Sequence, residues 1–135
     1  MVIMKPKAKA SRLENELANF LWNKGFAVVR GPSSGAGVTK RYAPDLVAIK
    51  YGKILVIEVK SKVKDSPLYI NSSQILGLEE FAKRASGIPI IAYKSNRNNW
   101  KFHFLDKLEL TGNSFKIEKP EDGLYYESLV KLIFK

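Results

Sequence analysis

Cysteine is absent from this 135-residue sequence, and histidine occurs only once, at position 103. Without cysteine the protein can form no disulfide, no thiolate metal site and no cysteine nucleophile. A single histidine leaves almost no room for histidine-rich metal centres or imidazole acid–base chemistry. Catalysis built on cysteine is therefore excluded, and catalysis built on histidine is disfavoured.

Long apolar runs are also lacking. No stretch approaches the roughly 18 residues that a membrane span needs. The N-terminus offers only the short apolar tract at residues 2–4, which cannot form the core of a signal peptide. We therefore expect a cytoplasmic protein without membrane contact. The hydrophobic content of 45% fits a single domain over residues 1–135.

Acidic residues are few beside basic ones. Thirteen aspartates and glutamates stand against 23 lysines and arginines, which gives a net charge of +10. Such a field favours a polyanionic partner, nucleic acid first and an anionic membrane surface second. No amphipathic helix in the sequence has a strongly basic polar face, which weakens the membrane alternative. A lysine-rich surface that serves only solubility is the remaining alternative.

Hydrophobic periodicity and glycine or proline breaks predict alternating helices and strands. The predicted elements are a helix at 11–25, a strand at 26–30, a loop at 31–43, two strands within 44–62, a helix at 71–87, strands at 88–93 and 100–104, a short strand near 115–117 and a helix at 124–134. This order predicts an α/β fold with a mixed sheet covered by helices. Trp100, Phe102 and Phe104 are predicted to be core, and His103, which alternates with them, to be exposed.

The segment PDLVAIKYGKILVIEVKSK, residues 44–62, carries Asp45, Glu58 and Lys60 at the margins of two apolar runs. If Tyr51-Gly52 forms a two-residue hairpin turn, or a four-residue loop keeps that register, Asp45 lies opposite Glu58. Opposed residues share a sheet face with Cβ atoms roughly 4.5–5.5 Å apart. Lys60, two residues beyond Glu58, lies on that face too. A three-residue turn would instead move Asp45 away from Glu58.

Two opposed carboxylates repel each other and are costly to bury. A divalent cation relieves both problems, and Mg²⁺ is commonly held by one or two carboxylates together with phosphate oxygens and waters. Such an ion can lower the pKa of a bound water and stabilise charge that develops on a phosphate. Lys60 could hold the attacking water or stabilise the oxyanion. The alternative is that Lys60 only neutralises Glu58 while Asp45 caps the entry to a strand.

The pattern Pro44-Asp45 followed by Glu58-Val59-Lys60 resembles the signature of the restriction-endonuclease-like nuclease superfamily. Nearly the whole chain resembles one branch of it, the archaeal Holliday-junction-resolving endonucleases of the Hjc/Hje group. The other matching features are Glu14 after Ser11, the run KGFAVVR at 24–30, a small-residue loop with Ser34, Gln74 at a helix start, the run GIPI at 87–90 and a final amphipathic helix. Asn15 departs from the pattern, because many relatives have arginine there. This departure bears on a DNA or subunit contact and not on the metal.

The resemblance implies a restriction-endonuclease-like (PD-ExK) core, a central mixed β-sheet flanked by α-helices. It implies a nucleoid-associated homodimer that nicks opposite strands of a four-way DNA junction in recombination and repair, with Mg²⁺ as cofactor and Mn²⁺ as a substitute. By the same resemblance, Glu14, Asp45 and Glu58 would bind the metal and Lys60 would position or activate water. Ser34 would act from a loop near the scissile strand.

Two of the matching residues have another interpretation. Ser11 with Glu14, and Asn71 with Gln74, have the spacing of capping boxes, in which the two side chains satisfy the first amides of a helix. The resemblance favours the metal site for Glu14. It leaves the role of Gln74 open.

The glycine-rich loop at 31–40 lacks the G-x-x-x-x-G-K-[ST] spacing, so no nucleotide cofactor is expected. With Lys40 and Arg41 it is interpreted as a DNA-contacting loop, and a plain surface loop is the alternative. Further candidates for phosphate contact are Arg12, Arg30, Lys62, Lys64 and Arg84. Any one of them alone could instead be a solvated surface charge.

Two other functions remain open at this point. A restriction- or repair-type nuclease acting on duplex or flap DNA could use the same scaffold. Such enzymes usually carry an added recognition segment, for which 135 residues leave little room. A non-catalytic DNA-binding module could also keep the fold, but the intact Asp45, Glu58 and Lys60 argue against it.

Overall fold

The computed structural model describes residues 6–32, 41–62, 67–94 and 99–135. Within them lie the helices α1 (Pro6–Asn23), α2 (Ser72–Ala85) and α3 (Tyr126–Ile133). The strands are β1 (Ala27–Arg30), β2 (Leu46–Lys50), β3 (Lys53–Ser61), β4 (Leu68–Asn71), β5 (Ile88–Lys94), β6 (Lys101–Phe104), β7 (Glu109–Thr111) and β8 (Ser114–Ile117). No helix in this part of the chain is long and apolar enough to cross a membrane.

The strands form two sheets. The larger sheet has the spatial order β1-β2-β3-β5-β6, in which β3 and β5 pair in parallel and the other neighbours are antiparallel. The smaller sheet is antiparallel, with the order β4-β8-β7. The predicted fold class, a central mixed sheet flanked by helices, is therefore confirmed.

Both faces of the central sheet are covered. On one face α1 packs against β1, β2 and β3, and α3 packs against β6; the buried leucines of α1 recur at helical spacing: Leu13, Leu17 and Leu21. On the other face α2 and the smaller sheet pack against β3 and β5. Because β3 lies between two strands and two covering layers, residues 55–57 have no exposed surface. Glu58, the next residue, is withdrawn from water for the same reason.

The β2–β3 hairpin has the predicted register. Leu46 pairs with Ile57 and Lys50 pairs with Lys53, so the turn consists of Tyr51 and Gly52. Both turn residues have positive φ, +50° and +77°, which is the conformation that suits the twist of a two-residue hairpin and that glycine adopts without strain. One step beyond the paired residues, Asp45 stands opposite Glu58. The alternative of a three-residue turn is wrong.

Helix α1 begins at Pro6, earlier than the predicted start at Ser11. The residues between these two positions are lysines and alanines, which are good helix formers. Ser11 and Glu14 therefore lie inside the helix and do not cap it. The capping-box interpretation of this pair is wrong, and both side chains instead contact Arg30 of β1.

Three features differ from the prediction. Strands β4 and β7 were not predicted, because each is only three or four residues long and gains its pairing from β8.

His103 was predicted to be exposed but is buried, with 7% of its surface accessible. The chain returns over β6 after β8, and the His103 Nε2 lies 2.8 Å from the carbonyl oxygen of Pro120. Burial lowers the pKa of His103, so the ring is neutral at pH 7.

Candidate active site

Asp45 and Glu58 meet at the open end of the β2–β3 hairpin. The Asp45 Oδ2 accepts a hydrogen bond of 2.8 Å from the backbone amide of Val59, so the aspartate continues the pairing one step beyond β2. Glu58 lies in β3 between β2 and β5, and only 5% of its surface is accessible. The hairpin thus places two carboxyl groups side by side, one half-buried and one buried.

The environment of Glu58 disfavours its charged form. Burial raises its pKa to about 7, and the neighbouring Asp45 carboxylate contributes to the rise. A hydrogen bond from Tyr42 and the positive charge of Lys60 act in the opposite direction without cancelling it. The ionised form of Glu58 is therefore costly here, chiefly because the carboxyl group is withdrawn from water. A bound divalent cation would supply positive charge and favour the ionised carboxylate.

Tyr42 is a hydrogen-bond partner of Glu58. Its hydroxyl donates a short hydrogen bond to the Glu58 Oε1. Burial, followed by the nearby carboxylates of Glu58 and Asp45, raises the pKa of Tyr42. The hydroxyl therefore keeps its proton and acts as the donor. Sequence analysis missed this residue, although a tyrosine just before the Pro44-Asp45 motif was a visible signal.

Lys60 lies on the same strand as Glu58 and is held by α2. Its Nζ donates a hydrogen bond of 3.0 Å to the Gln74 Oε1. Asn71 caps α2, because its side chain accepts from the backbone amide of Ser73 at 2.9 Å. Gln74 is thus oriented towards Lys60 by the first turn of α2. The lysine forms this bond to a neutral amide, which leaves its positive charge available to the site.

Glu14 is engaged elsewhere. Its Oε1 lies 3.0 Å from the Arg30 Nη2, and Arg30 also donates to Asn15 Oδ1 at 2.9 Å and to Ser11 Oγ at 3.3 Å. Glu14 was predicted to be a metal ligand and Arg30 a phosphate contact. In the structure the two form an ion pair with each other. Asn15, which departs from the family pattern, is part of the same contact. Within the described ranges, no three His, Asp or Glu side chains lie close enough to share a metal ion.

The remaining predicted DNA contacts are placed as follows. Arg12 and Arg41 are exposed on the surface. Lys62 is half-buried, and its Nζ donates to the carbonyl oxygen of Pro67 at 2.8 Å. Arg84 is exposed and forms an ion pair of 2.8 Å with Glu80. Ser34, Lys40 and Lys64 lie outside the described residues.

The structure thus brings together Asp45, Glu58 and Lys60, as the sequence predicted. It adds Tyr42, and it gives Gln74, whose role the resemblance left open, as the partner of Lys60. Carboxylate oxygens are the ligands that hard divalent cations prefer, so the donor set fits such an ion. A mixed sheet with an aspartate, a glutamate and a lysine at the end of one hairpin defines a restriction-endonuclease-like nuclease.

Comparison with known proteins identifies the family. The model of the archaeal Holliday junction resolvase (Hjc) family matches residues 5–135. The chain therefore belongs to this family. Membership in a nuclease family implies use of a divalent metal ion and a DNA junction as substrate.

Curated relatives and a solved structure agree with this assignment. The chain is 36% identical over 129 residues to the crossover junction endodeoxyribonuclease Hjc of Sulfurisphaera tokodaii, covering 94% of this chain and 89% of the relative. It is 37% identical over 133 residues to the protein of the same name from Sulfolobus acidocaldarius, covering 96% and 92%. The structure of Archaeoglobus fulgidus Hjc, a Holliday junction resolvase, is similar with a TM-score of 0.78 and 32% identity, over 91% of this chain and 96% of that one.

Proposed function

We propose that this protein is a structure-selective endonuclease that cleaves four-way DNA junctions by metal-dependent phosphodiester hydrolysis, in recombination and repair. The observation that carries the proposal is the meeting of Asp45, Glu58 and Lys60 at the end of the β2–β3 hairpin. The net charge of +10 suits a polyanionic substrate. A cytoplasmic, nucleoid-associated location follows from that substrate.

Asp45 and Glu58 would hold the ion, for which we propose Mg²⁺, with Mn²⁺ as a substitute. The bound ion would lower the pKa of a coordinated water and stabilise negative charge on the phosphate. Lys60, held by Gln74, donates a hydrogen bond either to the attacking water or to a non-bridging phosphate oxygen. Water attacks phosphorus in line with the leaving oxygen, and the positive charge of Lys60 stabilises the transition state.

Glu14 and Ser34 remain proposed members of this site. For Glu14 the proposal requires an exchange of partners, because its carboxylate is paired with Arg30. Binding of the metal would draw Glu14 away and release the Arg30 guanidinium, which could then contact a phosphate of the junction. A carboxylate and a phosphate are alternative partners for the same guanidinium fork.

We also propose that the active form is a homodimer. Resolving a four-way junction requires two cuts related by symmetry, and one chain of this size carries one such site. A two-fold symmetric dimer supplies two identical sites in opposed orientations. Gel filtration combined with light scattering should give a particle of twice the 15.2 kDa chain mass.

The test of the function is cleavage of a labelled four-way junction in the presence of Mg²⁺. The wild-type protein should cut two opposed strands, and Glu58→Ala should be inactive. A matched control is Glu109→Ala, which removes an exposed glutamate on β7 and should cut normally. Equal cleavage by wild type and Glu58→Ala, or cleavage by neither, would refute the proposal.

The same assay separates the other functions. Plain duplex and flap substrates cut as fast as the junction would indicate a restriction- or repair-type nuclease. Junction binding without cleavage, together with calorimetry that detects no Mg²⁺ binding at any pH, would indicate a non-catalytic DNA-binding module.

A further inference from the structure

Tyr42 bridges α2 and the buried acid of β3. Its hydroxyl donates to Glu58 Oε1, and its ring lies against Gly77 in the middle of α2. A Cβ atom built on Gly77 would fall 2.5 Å from both Cγ and Cδ1 of the tyrosine ring and 2.9 Å from its Cβ. These distances are far below van der Waals contact, so the ring occupies the space that any other residue at position 77 would need.

The two active-site contacts with α2 come from one face of that helix. Gln74 accepts from Lys60, and Gly77, three residues later, receives the ring of the tyrosine that binds Glu58. Residues three apart in a helix lie on the same side, one turn from each other. Both ionisable residues of the Glu58-Val59-Lys60 motif are therefore held through α2. Lys60 contacts Gln74 directly, and Glu58 is contacted by Tyr42, whose ring packs on Gly77.

We propose that Tyr42 is a positioning residue for Glu58: seated on Gly77, its hydroxyl fixes the orientation of the carboxylate in which that group binds the metal. This inference rests on the proposed metal-dependent function. A carboxylate has about four lone-pair sites, so one hydrogen bond at Oε1 leaves the other oxygen and further lone pairs for the ion. Residues that hydrogen-bond to a metal ligand orient that ligand, and their removal typically weakens metal affinity or activity about 10–100-fold.

The test replaces Tyr42 with phenylalanine, which keeps the ring on Gly77 and removes only the hydroxyl. Mn²⁺ is titrated by calorimetry into the metal-free protein without DNA. We expect the dissociation constant of Tyr42→Phe to rise by about 10–100-fold. The control is Tyr51→Phe, which removes a hydroxyl from the hairpin tip, where the side chain is 86% exposed. Its Mn²⁺ affinity should stay within about twofold of wild type.

Junction cleavage across a Mn²⁺ series gives a second readout. The half-saturating Mn²⁺ concentration of Tyr42→Phe should rise by the same factor as the dissociation constant. The rate at saturating Mn²⁺ should return to within about threefold of wild type, because the variant loses metal binding and not the chemical step. A purely structural role for Tyr42 would lower the rate at every metal concentration.

Gly77→Ala approaches the same contact from the other side. The variant keeps the hydroxyl and gains a better helix former, but its methyl group displaces the tyrosine ring. It should weaken Mn²⁺ binding, and it should lower thermal stability more than Tyr42→Phe does, because the displaced ring loses its packing on α2. If both variants break one contact, the double variant should bind Mn²⁺ no more weakly than the worse single variant, which is the non-additivity expected of coupled residues.

The outcomes separate the two proposals. If the wild type binds Mn²⁺ and cuts junctions while Tyr42→Phe binds Mn²⁺ equally well, the inference about Tyr42 is wrong and the proposed function stands. A rate loss that persists at saturating Mn²⁺, or additive losses in the double variant, also overturns the inference. If the wild type itself binds no Mn²⁺ and cuts no junction, both proposals fall.

Discussion

Replacing Glu58 with glutamine should stabilise the metal-free protein, and the gain should depend on pH. The pKa of Glu58 is raised from 4.5 to about 7, chiefly by burial and then by the Asp45 carboxylate. The folded state therefore holds a proton that the unfolded state releases, and the free energy of unfolding falls as the pH rises between these values. Glutamine has a similar shape and accepts the Tyr42 hydrogen bond, but it carries no charge.

The magnitude follows from the two pKa values. The interval from 4.5 to about 7, at about 1.4 kcal/mol for each pKa unit, amounts to roughly 3 kcal/mol. This cost to the wild type is absent below about pH 4.5 and complete at about pH 8. The free energy of unfolding of Glu58→Gln should thus exceed that of the wild type by roughly 3 kcal/mol at about pH 8. The two free energies should converge below about pH 4.5.

The assay is urea unfolding in the presence of a chelator, with the free energy of unfolding measured at several pH values. Glu109→Gln is the matched control, because Glu109 is exposed on β7 and its replacement should give no pH-dependent difference. Equal stability of wild type and Glu58→Gln at every pH, or a variant that is less stable at about pH 8, would refute the electrostatic reasoning.

Three further predictions concern the neighbours of the acidic pair and the DNA contacts. Gln74→Ala should free the Lys60 side chain and slow single-turnover junction cleavage about 10–100-fold, with junction binding in Ca²⁺ unchanged by gel shift. Glu14→Gln removes a partly exposed ion pair with Arg30, so its free energy of unfolding should change by less than about 1 kcal/mol, whereas its Mg²⁺ requirement for cleavage should rise. If about six basic side chains contact phosphates, junction affinity should fall roughly 10³-fold between about 50 and 200 mM salt, and a fall of less than tenfold would contradict that number of contacts.

The sequence predicted the hairpin and its register because that information is local. Two continuous apolar runs define the strands, and the Tyr51-Gly52 dipeptide fixes the turn, so the opposition of Asp45 and Glu58 follows from counting along the chain. The same holds for the buried stripe of α1 and for the amphipathic α2, whose N-cap, Asn71, was recognisable from its residue type.

The contacts that complete the site are not local. Tyr42 reaches Glu58 across 16 positions, Lys60 reaches Gln74 across 14, and Arg30 reaches Glu14 across 16. Each depends on how α1, α2 and the segment before β2 pack on the sheet, which periodicity does not specify. Burial of His103 likewise depends on the return of the chain over β6. Local sequence patterns therefore predicted Asp45 and Glu58, but they did not predict which distant side chains hydrogen-bond to the site.

The most direct test of the account is a crystal structure of the protein with Mn²⁺, in which anomalous scattering locates the ion. We predict an anomalous peak in contact with a carboxylate oxygen of Asp45 and one of Glu58, with the Lys60 ammonium beside it. A peak that touches neither carboxylate, or no ordered ion in crystals of a protein that still cuts junctions, would contradict the account.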